Sequence, residues 1–382
     1  MGSISFRRLF HWGPISVLGI IKLIAWTMVH VLGMWWPPHA SVAGALHAAL
    51  FLALAGSTLY YFLASLIEGP GFVPLGWKPE NEKDEQYLQF CTVCQGYKAP
   101  RAHHCRKCGY CVLKMDHHCP WINCCVGHSN HAYFTLFLTS AVLGCLHASI
   151  VLPICVYHGL NRAWYVRHGG GPFVHFTLTT LVLTLLAIGM AVGVVLAVSA
   201  LLFFQLRGIY RNETTIEEWI LQKAHSRHAE NNLPPFVYPY DLGWRNNFRL
   251  VLWTKMDGLR WPVREGCGEY DLTIEQQLQK DEKRQRSRLY VAQRPYGGSR
   301  CPMSRPRAAI AAPCTDEGRL PLGVGDMVRA TRHRRSVFYF NLATNSRCIY
   351  ITSLILNNNN KVLYFRLMIH MCTIVLSYKN II

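Results

Sequence analysis

Charge is what this chain of 382 residues has least of: charged side chains make up 16% of it, while hydrophobic ones reach 51%. Soluble domains carry about a quarter charged residues, so an ordinary soluble class is excluded and a membrane class is expected. Acidic residues are the scarcer sign, 21 against 39 Lys and Arg, which leaves a formal net charge of +18. Such an excess could serve nucleic acid, but most of these cations flank apolar stretches or lie in the tail, where they meet anionic headgroups. The expected partner is therefore the lipid bilayer, with no nucleic acid. Met1-Gly2 is followed by Phe6 where an acylation signal needs Ser or Thr, so N-myristoylation is not expected.

Long apolar runs are present where the charge is missing. Residues 14–36, 43–67, 133–156 and 176–204 are each long enough to cross a bilayer as a helix. Trp35-Trp36 suit the interface at the end of the first run, and Pro37-Pro38 make a tight uncharged turn into the second. A cleaved signal peptide is the rival reading of the first run, with Ala43-Gly44-Ala45 as small residues, but the run is long for that role. Lys22 sits near enough to one end to snorkel to the surface. The loop between the last two runs holds only Arg162 and Arg167, whereas the loop after the second holds Lys78, Lys83, Lys98, Arg101, Arg106, Lys107 and Lys114. By the positive-inside pattern both termini and that basic loop are cytosolic. The expected fold is an α-helical polytopic membrane protein with four transmembrane helices, a cytosolic cysteine-rich domain and a cytosolic C-terminal tail. Asn212-Glu213-Thr214, a glycosylation sequon, then stays unmodified.

Cysteine is concentrated. Eight of the 15 cysteines and four histidines fall between Cys91 and Cys125, at spacings such as Cys91-x2-Cys94 and Cys105-x2-Cys108-x2-Cys111. These spacings let one zinc ion take two ligands from a single turn, and thiols kept for metal imply a reducing compartment. Twelve donors allow at most three four-ligand sites, and so short a stretch more plausibly folds around two. The run Asp116-His117-His118-Cys119-Pro120-Trp121 then sets a carboxylate, two imidazoles and a thiol side by side. A thiol needs a neighbouring base or positive charge to become a nucleophile at neutral pH. His117 can supply it to Cys119, with Asp116 orienting the ring.

The whole run from Cys91 to Cys125 resembles the cysteine-rich domain of the DHHC protein S-acyltransferases. The wording GFVPLGWKP before it and MDHHCPWIN within it is similar to an endoplasmic-reticulum branch of that family whose chains end in an SH3 domain. The resemblance covers roughly residues 1–335. It implies one zinc on Cys91, Cys94, His104 and Cys111, and a second on Cys105, Cys108, His118 and Cys125. It also implies Cys119, His117 and Asp116 as the catalytic residues and long-chain acyl-coenzyme A, mainly palmitoyl, as co-substrate. The acceptors would be cytosolic cysteines of membrane proteins, and the location the endoplasmic reticulum membrane. Thr214-Thr215-Ile216-Glu217 matches a motif that packs beneath the site in the family, and Asn247-Phe248 an element that docks its tail. Gly69-Pro70-Gly71 departs from the family's Asp-Pro-Gly at its first position, and Cys124 stands where Asn is common. Cys124 keeps neither a preceding histidine nor a metal partner and is expected to be incidental. A membrane-anchored zinc adapter and a passively acylated substrate are the competing functions; neither needs the Asp116-His117 pair.

The expected division is 1–67 for the first two helices, 68–131 for the zinc domain and 132–206 for helices three and four. A tail at 207–300 precedes a partial SH3-like segment at 301–335 and an atypical terminus at 336–382. Thr214-x-x-Glu217 and Thr273-x-x-Gln276 both read as capping boxes that open helices. After Arg335 the composition turns to Asn, Ile, Leu, Tyr and Ser without a recognisable SH3 second half, and a fifth span over 362–376 is not expected.

Overall fold

The computed structural model describes residues 8–169, 174–254, 256–292, 295, 322–334, 337–342 and 348–352. It divides into two compact units, residues 1–275 and 276–382.

The first unit is built on four long apolar helices: α1 (Trp12–Trp35), α2 (Val42–Glu68), α3 (His131–Leu160) and, after the short α4 (Arg162–Arg167), α5 (Leu178–Arg211). The shortest of the four has 24 residues, or about 36 Å at 1.5 Å per residue, enough for a hydrocarbon core of about 30 Å. All four have the length and composition of membrane spans. Side-chain oxygens of Ser41 and Thr177 cap α2 and α5, and Gly69 closes α2 at φ 73°, a conformation that glycine adopts at little cost. The guanidinium of Arg8 donates to the Leu66 carbonyl at 2.9 Å, satisfying one of the orphan acceptors at the end of α2.

Two apolar clusters divide this helical body along its length. One packs Met28, Leu32, Phe51, Leu152 and Ala187 near the α1–α2 turn. The other packs Phe62, Leu66, Phe134 and Leu138 with Ile122 and Cys119 of the cysteine-rich loop. The loop is thus seated against the helix ends. The fit is tight at Gly13, where a Cβ would lie 2.0 Å from the Pro120 carbonyl oxygen, so no larger residue fits without a shift. In the first cluster's region His47 Nδ1 and His147 Nε2 are 2.8 Å apart, a pairing that the sequence did not announce.

The loop between α2 and α3 contains three small antiparallel hairpins: β1 (Phe90–Cys91) with β2 (Gly96–Tyr97), β3 (His103–Cys105) with β4 (Tyr110–Val112), and β5 (His117–Cys119) with β6 (Cys124–Val126). After α5 the chain forms α6 (Thr215–Glu230), opened by a full Thr214/Glu217 capping box, then α7 (Trp244–Leu252) and α8 (Asp271–Gln285). The reading of Thr273 as a second cap is corrected: α8 already begins at Asp271, and Thr273 lies inside it. The helix starts three residues earlier than that reading placed it, after a turn in which the Gly268 N–H donates to Asp271 Oδ2 at 2.7 Å. Asn247 is fully buried; its amide donates to the Tyr210 carbonyl at 2.8 Å and to Asp241, which fastens α7 to the end of α5.

In the second unit β7 (Arg288–Val291), β8 (Met327–Arg334), β9 (Val337–Leu342) and β10 (Cys348–Thr352) form one antiparallel sheet in the order β10-β9-β8-β7. Strand formation therefore continues past Arg335, because VFYFNL and CIYIT are rich in the β-branched and aromatic residues that strands favour. Residues 301–321 of the SH3-like segment, the asparagine run at 357–360 and the apolar run at 362–376 lie outside the described residues.

Candidate active site and metal clusters

Hairpin register brings the metal donors together. His104 lies directly across from Cys111 in β3–β4, and His118 directly across from Cys125 in β5–β6. Because successive strand residues face opposite sides, Cys105 turns away from His104's group and joins His118's. The two groups formed are Cys91, Cys94, His104, Cys111 and Cys105, Cys108, His118, Cys125, in each of which all donor atoms lie within 4.8 Å of one another. His104 Nδ1 is 3.5, 3.4 and 3.9 Å from the sulfurs of Cys91, Cys94 and Cys111. His118 Nδ1 is 3.6, 3.5 and 3.6 Å from those of Cys105, Cys108 and Cys125. A zinc tetrahedron with ordinary Zn–S and Zn–N lengths has edges of about 3.6–3.8 Å, so both donor sets fit that ion. The charges point the same way: burial and the Cys91 thiol push the Cys111 thiol up, while hydrogen bonds from Cys108 and Cys125 pull Cys105 down. Sulfurs packed this closely ionise together only around a cation.

On the opposite face of β5 stand His117 and Cys119, the latter buried at 5% exposure in the cluster with Phe62, Leu66 and Phe134. His117 Nδ1 is 2.7 Å from Asp116 Oδ2 and its ring meets Phe134 edge-on, which leaves Nε2 for Cys119. Burial would lower the His117 pKa, but its hydrogen bonds to Asp116 and Cys119 raise it to about 10. Burial would likewise raise Asp116, yet the hydrogen bond and charge of His117 and the Thr215 N–H hold it well below the usual carboxylate range. Asp116 Oδ1 accepts from that N–H at 2.6 Å, and Oδ2 also accepts from Gln205 Nε2 at 3.1 Å. Gln205 Oε1 is in turn 3.0 Å from His131 Nε2. Cys124, directly across the ladder from Cys119, is fully buried, and burial pushes its thiol up to about 12. An inert thiol of that kind is poorly suited to nucleophilic attack.

Beneath the site runs a buried polar network. Arg101 binds Glu217 through two nitrogens at 2.7 and 2.8 Å and donates to the Asn212 carbonyl at 2.6 Å. Lys114 Nζ donates to Asn212 Oδ1 at 2.9 Å, and Arg101 lies over the rings of Tyr240 and Trp261. Burial and Arg101 push the Lys114 pKa well down, so the group is organised around one ion pair. Arg101, Lys114 and Asn212 all have positive φ, at 65°, 42° and 51°. Backbone in that region is costly for these residues and persists where surrounding bonds over-determine it. Glu217 was marked in the sequence by its capping box and by the motif expected beneath the site, but its partners, and Gln205 and His131, were not foreseen. Arg101 and Glu217 are 116 residues apart. Asn212 is 2% exposed within the network.

Four helices of membrane-span length and composition, two zinc-type donor groups and a separate histidine-cysteine pair packed against the helix ends define a multi-pass membrane protein with a thiol site where the cysteine-rich loop meets the helices. The DHHC palmitoyltransferase family model matches residues 84–222. The chain is 44% identical over 353 residues to Palmitoyltransferase ZDHHC6 of Mus musculus, covering 87% of this chain and 85% of that protein. The Danio rerio protein of the same name is 41% identical over 345 residues, covering 85% and 84%. Probable protein S-acyltransferase 13 of Arabidopsis thaliana is 29% identical over 276 residues, covering 66% and 84%. The chain belongs to the DHHC palmitoyltransferase family, and it is a membrane-bound protein S-acyltransferase.

Proposed function

We propose that Cys119 carries the acyl group between a long-chain acyl-coenzyme A, mainly palmitoyl-coenzyme A, and cysteines of membrane-associated proteins. The supporting observation is that Cys119 shares a strand face with His117, whose other nitrogen is held by a buried, ionised Asp116. The Cys119 thiolate attacks the thioester carbonyl, coenzyme A leaves as a thiol with the proton from His117, and a thioester forms on the enzyme. The acceptor cysteine then gives its proton to His117, attacks the enzyme thioester and releases Cys119. Both steps exchange one thioester for another, so catalysis rests on positioning and on keeping the thiolate. Zinc bound in the two donor groups would supply structural cross-links only, since each group has four protein ligands and no open position.

The likeness of GFVPLGWKP and MDHHCPWIN to the endoplasmic-reticulum branch of the family supports that membrane as the location, while the cation pattern and the need for reduced thiols support both termini and the cysteine-rich loop in the cytosol. The domain limits follow the same reading, with 68–131 as the zinc domain and 207–300 as the cytosolic tail that carries Thr214–Glu217 and Asn247-Phe248. Incubating the purified protein with labelled palmitoyl-coenzyme A tests the function. A hydroxylamine-sensitive label that an added cysteine-bearing membrane protein removes is expected. A protein that holds two zinc ions yet takes up no label would instead be a membrane-anchored zinc adapter.

A further inference from the structure

We infer that Gln205, backed by His131, is a positioning residue for acyl transfer, its side-chain amide fixing the carboxylate that orients His117. The inference rests on the reading of Asp116, His117 and Cys119 given above. Asp116 Oδ2 accepts two hydrogen bonds, from His117 Nδ1 at 2.7 Å and from Gln205 Nε2 at 3.1 Å, while Oδ1 accepts the Thr215 N–H at 2.6 Å. Two donors alone would leave the oxygen that faces His117 free to swing about the Oδ1 anchor. Gln205 supplies the third point and defines the carboxylate plane.

The orientation of that amide is itself decided by its partners. Turned over, Gln205 would set its carbonyl oxygen against a carboxylate oxygen, which repels. With Nε2 toward Asp116, Oε1 accepts from the buried His131 Nε2 at 3.0 Å, so His131 carries its proton on Nε2. Gln205 rides on α5 and His131 on the first turn of α3, whereas Asp116 immediately precedes β5. The relay therefore ties the catalytic carboxylate to the ends of two membrane helices. A hydrogen bond to a charged carboxylate is among the stronger kinds, and its loss at a reacting centre is expected to cost about tenfold in rate.

Detergent-solubilised full-length protein with labelled palmitoyl-coenzyme A provides the test. Gln205→Met keeps the length of the side chain and removes both polar atoms. It is expected to lower the rate of acyl-enzyme formation at saturating co-substrate about tenfold. KM and zinc content should stay at their wild-type values. Gln205→Glu, which sets carboxylate against carboxylate, should be at least as slow. A Gln205→Met rate within about twofold of wild type overturns the inference. So does a rate loss matched by loss of zinc, because Gln205 would then only pack. Cys119→Ser, run in parallel, separates the two levels. If it loses the label while Gln205→Met is unchanged, only the role of Gln205 fails; if it keeps the label, the nucleophile assignment and the role of Gln205 fail together.

Discussion

The tripeptide His-His-Cys occurs twice in the cysteine-rich loop, at His103–Cys105 and at His117–Cys119, each time as a strand of a three-residue hairpin. In both, the middle histidine lies across from a cysteine and joins a donor group. The last cysteine has opposite fates. Cys105 is followed at the CxxC spacing by Cys108 and becomes a metal donor, whereas Cys119 is followed at that spacing by Ile122 and stays out of both groups. The residue before each tripeptide differs as well: Ala102 precedes the first and Asp116, a buried carboxylate, the second. Under the proposed function, one local fold yields a structural thiol or a reactive one according to two neighbours, one supplying a second thiolate and the other a charge for the first histidine.

If Cys105 is the structural member of the pair, Cys105→Ala should release one metal per chain and unfold the loop, since a structural zinc contributes on the order of 10 kcal/mol to a small domain. Metal analysis beside self-acylation reads this, and a variant with full zinc and full activity would erase the distinction between the hairpins. His117→Ala should keep both metals and slow acyl-enzyme formation by about 10²–10⁴, the usual worth of a positioned base. An unchanged rate would mean that the aspartate-histidine pair is not what separates the second hairpin from the first.

Glu217→Gln leaves the Arg101 guanidinium buried without its counter-ion and should destabilise the protein by about 3–5 kcal/mol, seen as a lower unfolding temperature. The sign of the pH dependence follows. Burial would raise the Glu217 pKa, but the charge and hydrogen bonds of Arg101 hold it below its ordinary value. Its stabilisation is thus complete above the ordinary glutamate range and lost as pH falls through the lowered value. Glu217→Gln should flatten that acid limb, and an unaltered limb would show that the ion pair does not hold the loop. The smallest effect belongs to Cys124→Asn, which should leave labelling and zinc nearly unchanged, because Cys124 has neither a base nor a metal group.

Much of this was legible in the sequence because its signals are local. Apolar length marked the starts of all four spans to within two residues, though the last helix runs seven residues past the expected end; the Cys91–Cys125 spacing announced the donor groups, and Thr214-x-x-Glu217 announced the cap of α6. What stayed hidden depends on residues brought together over long distances. Gln205 is an unremarked polar residue near the end of an apolar helix, and Lys114 and Arg101 looked like loop cations until Glu217 and Asn212 closed over them. The second capping box failed for a related reason. Thr273-x-x-Gln276 has the right letters, but a turn at Gly268–Asp271 starts the helix first. In the tail, the change of composition at Arg335 concealed that Val337–Leu342 keeps the character of a strand.

The division of labour between the hairpins is tested most directly by the labelling stoichiometry and metal content of Cys119→Ser, measured on the same purified sample. The hydroxylamine-sensitive acyl label should vanish while two zinc ions per chain remain. Retention of the label, or loss of a zinc ion with it, would place Cys119 among the structural thiols and contradict its role as the nucleophile.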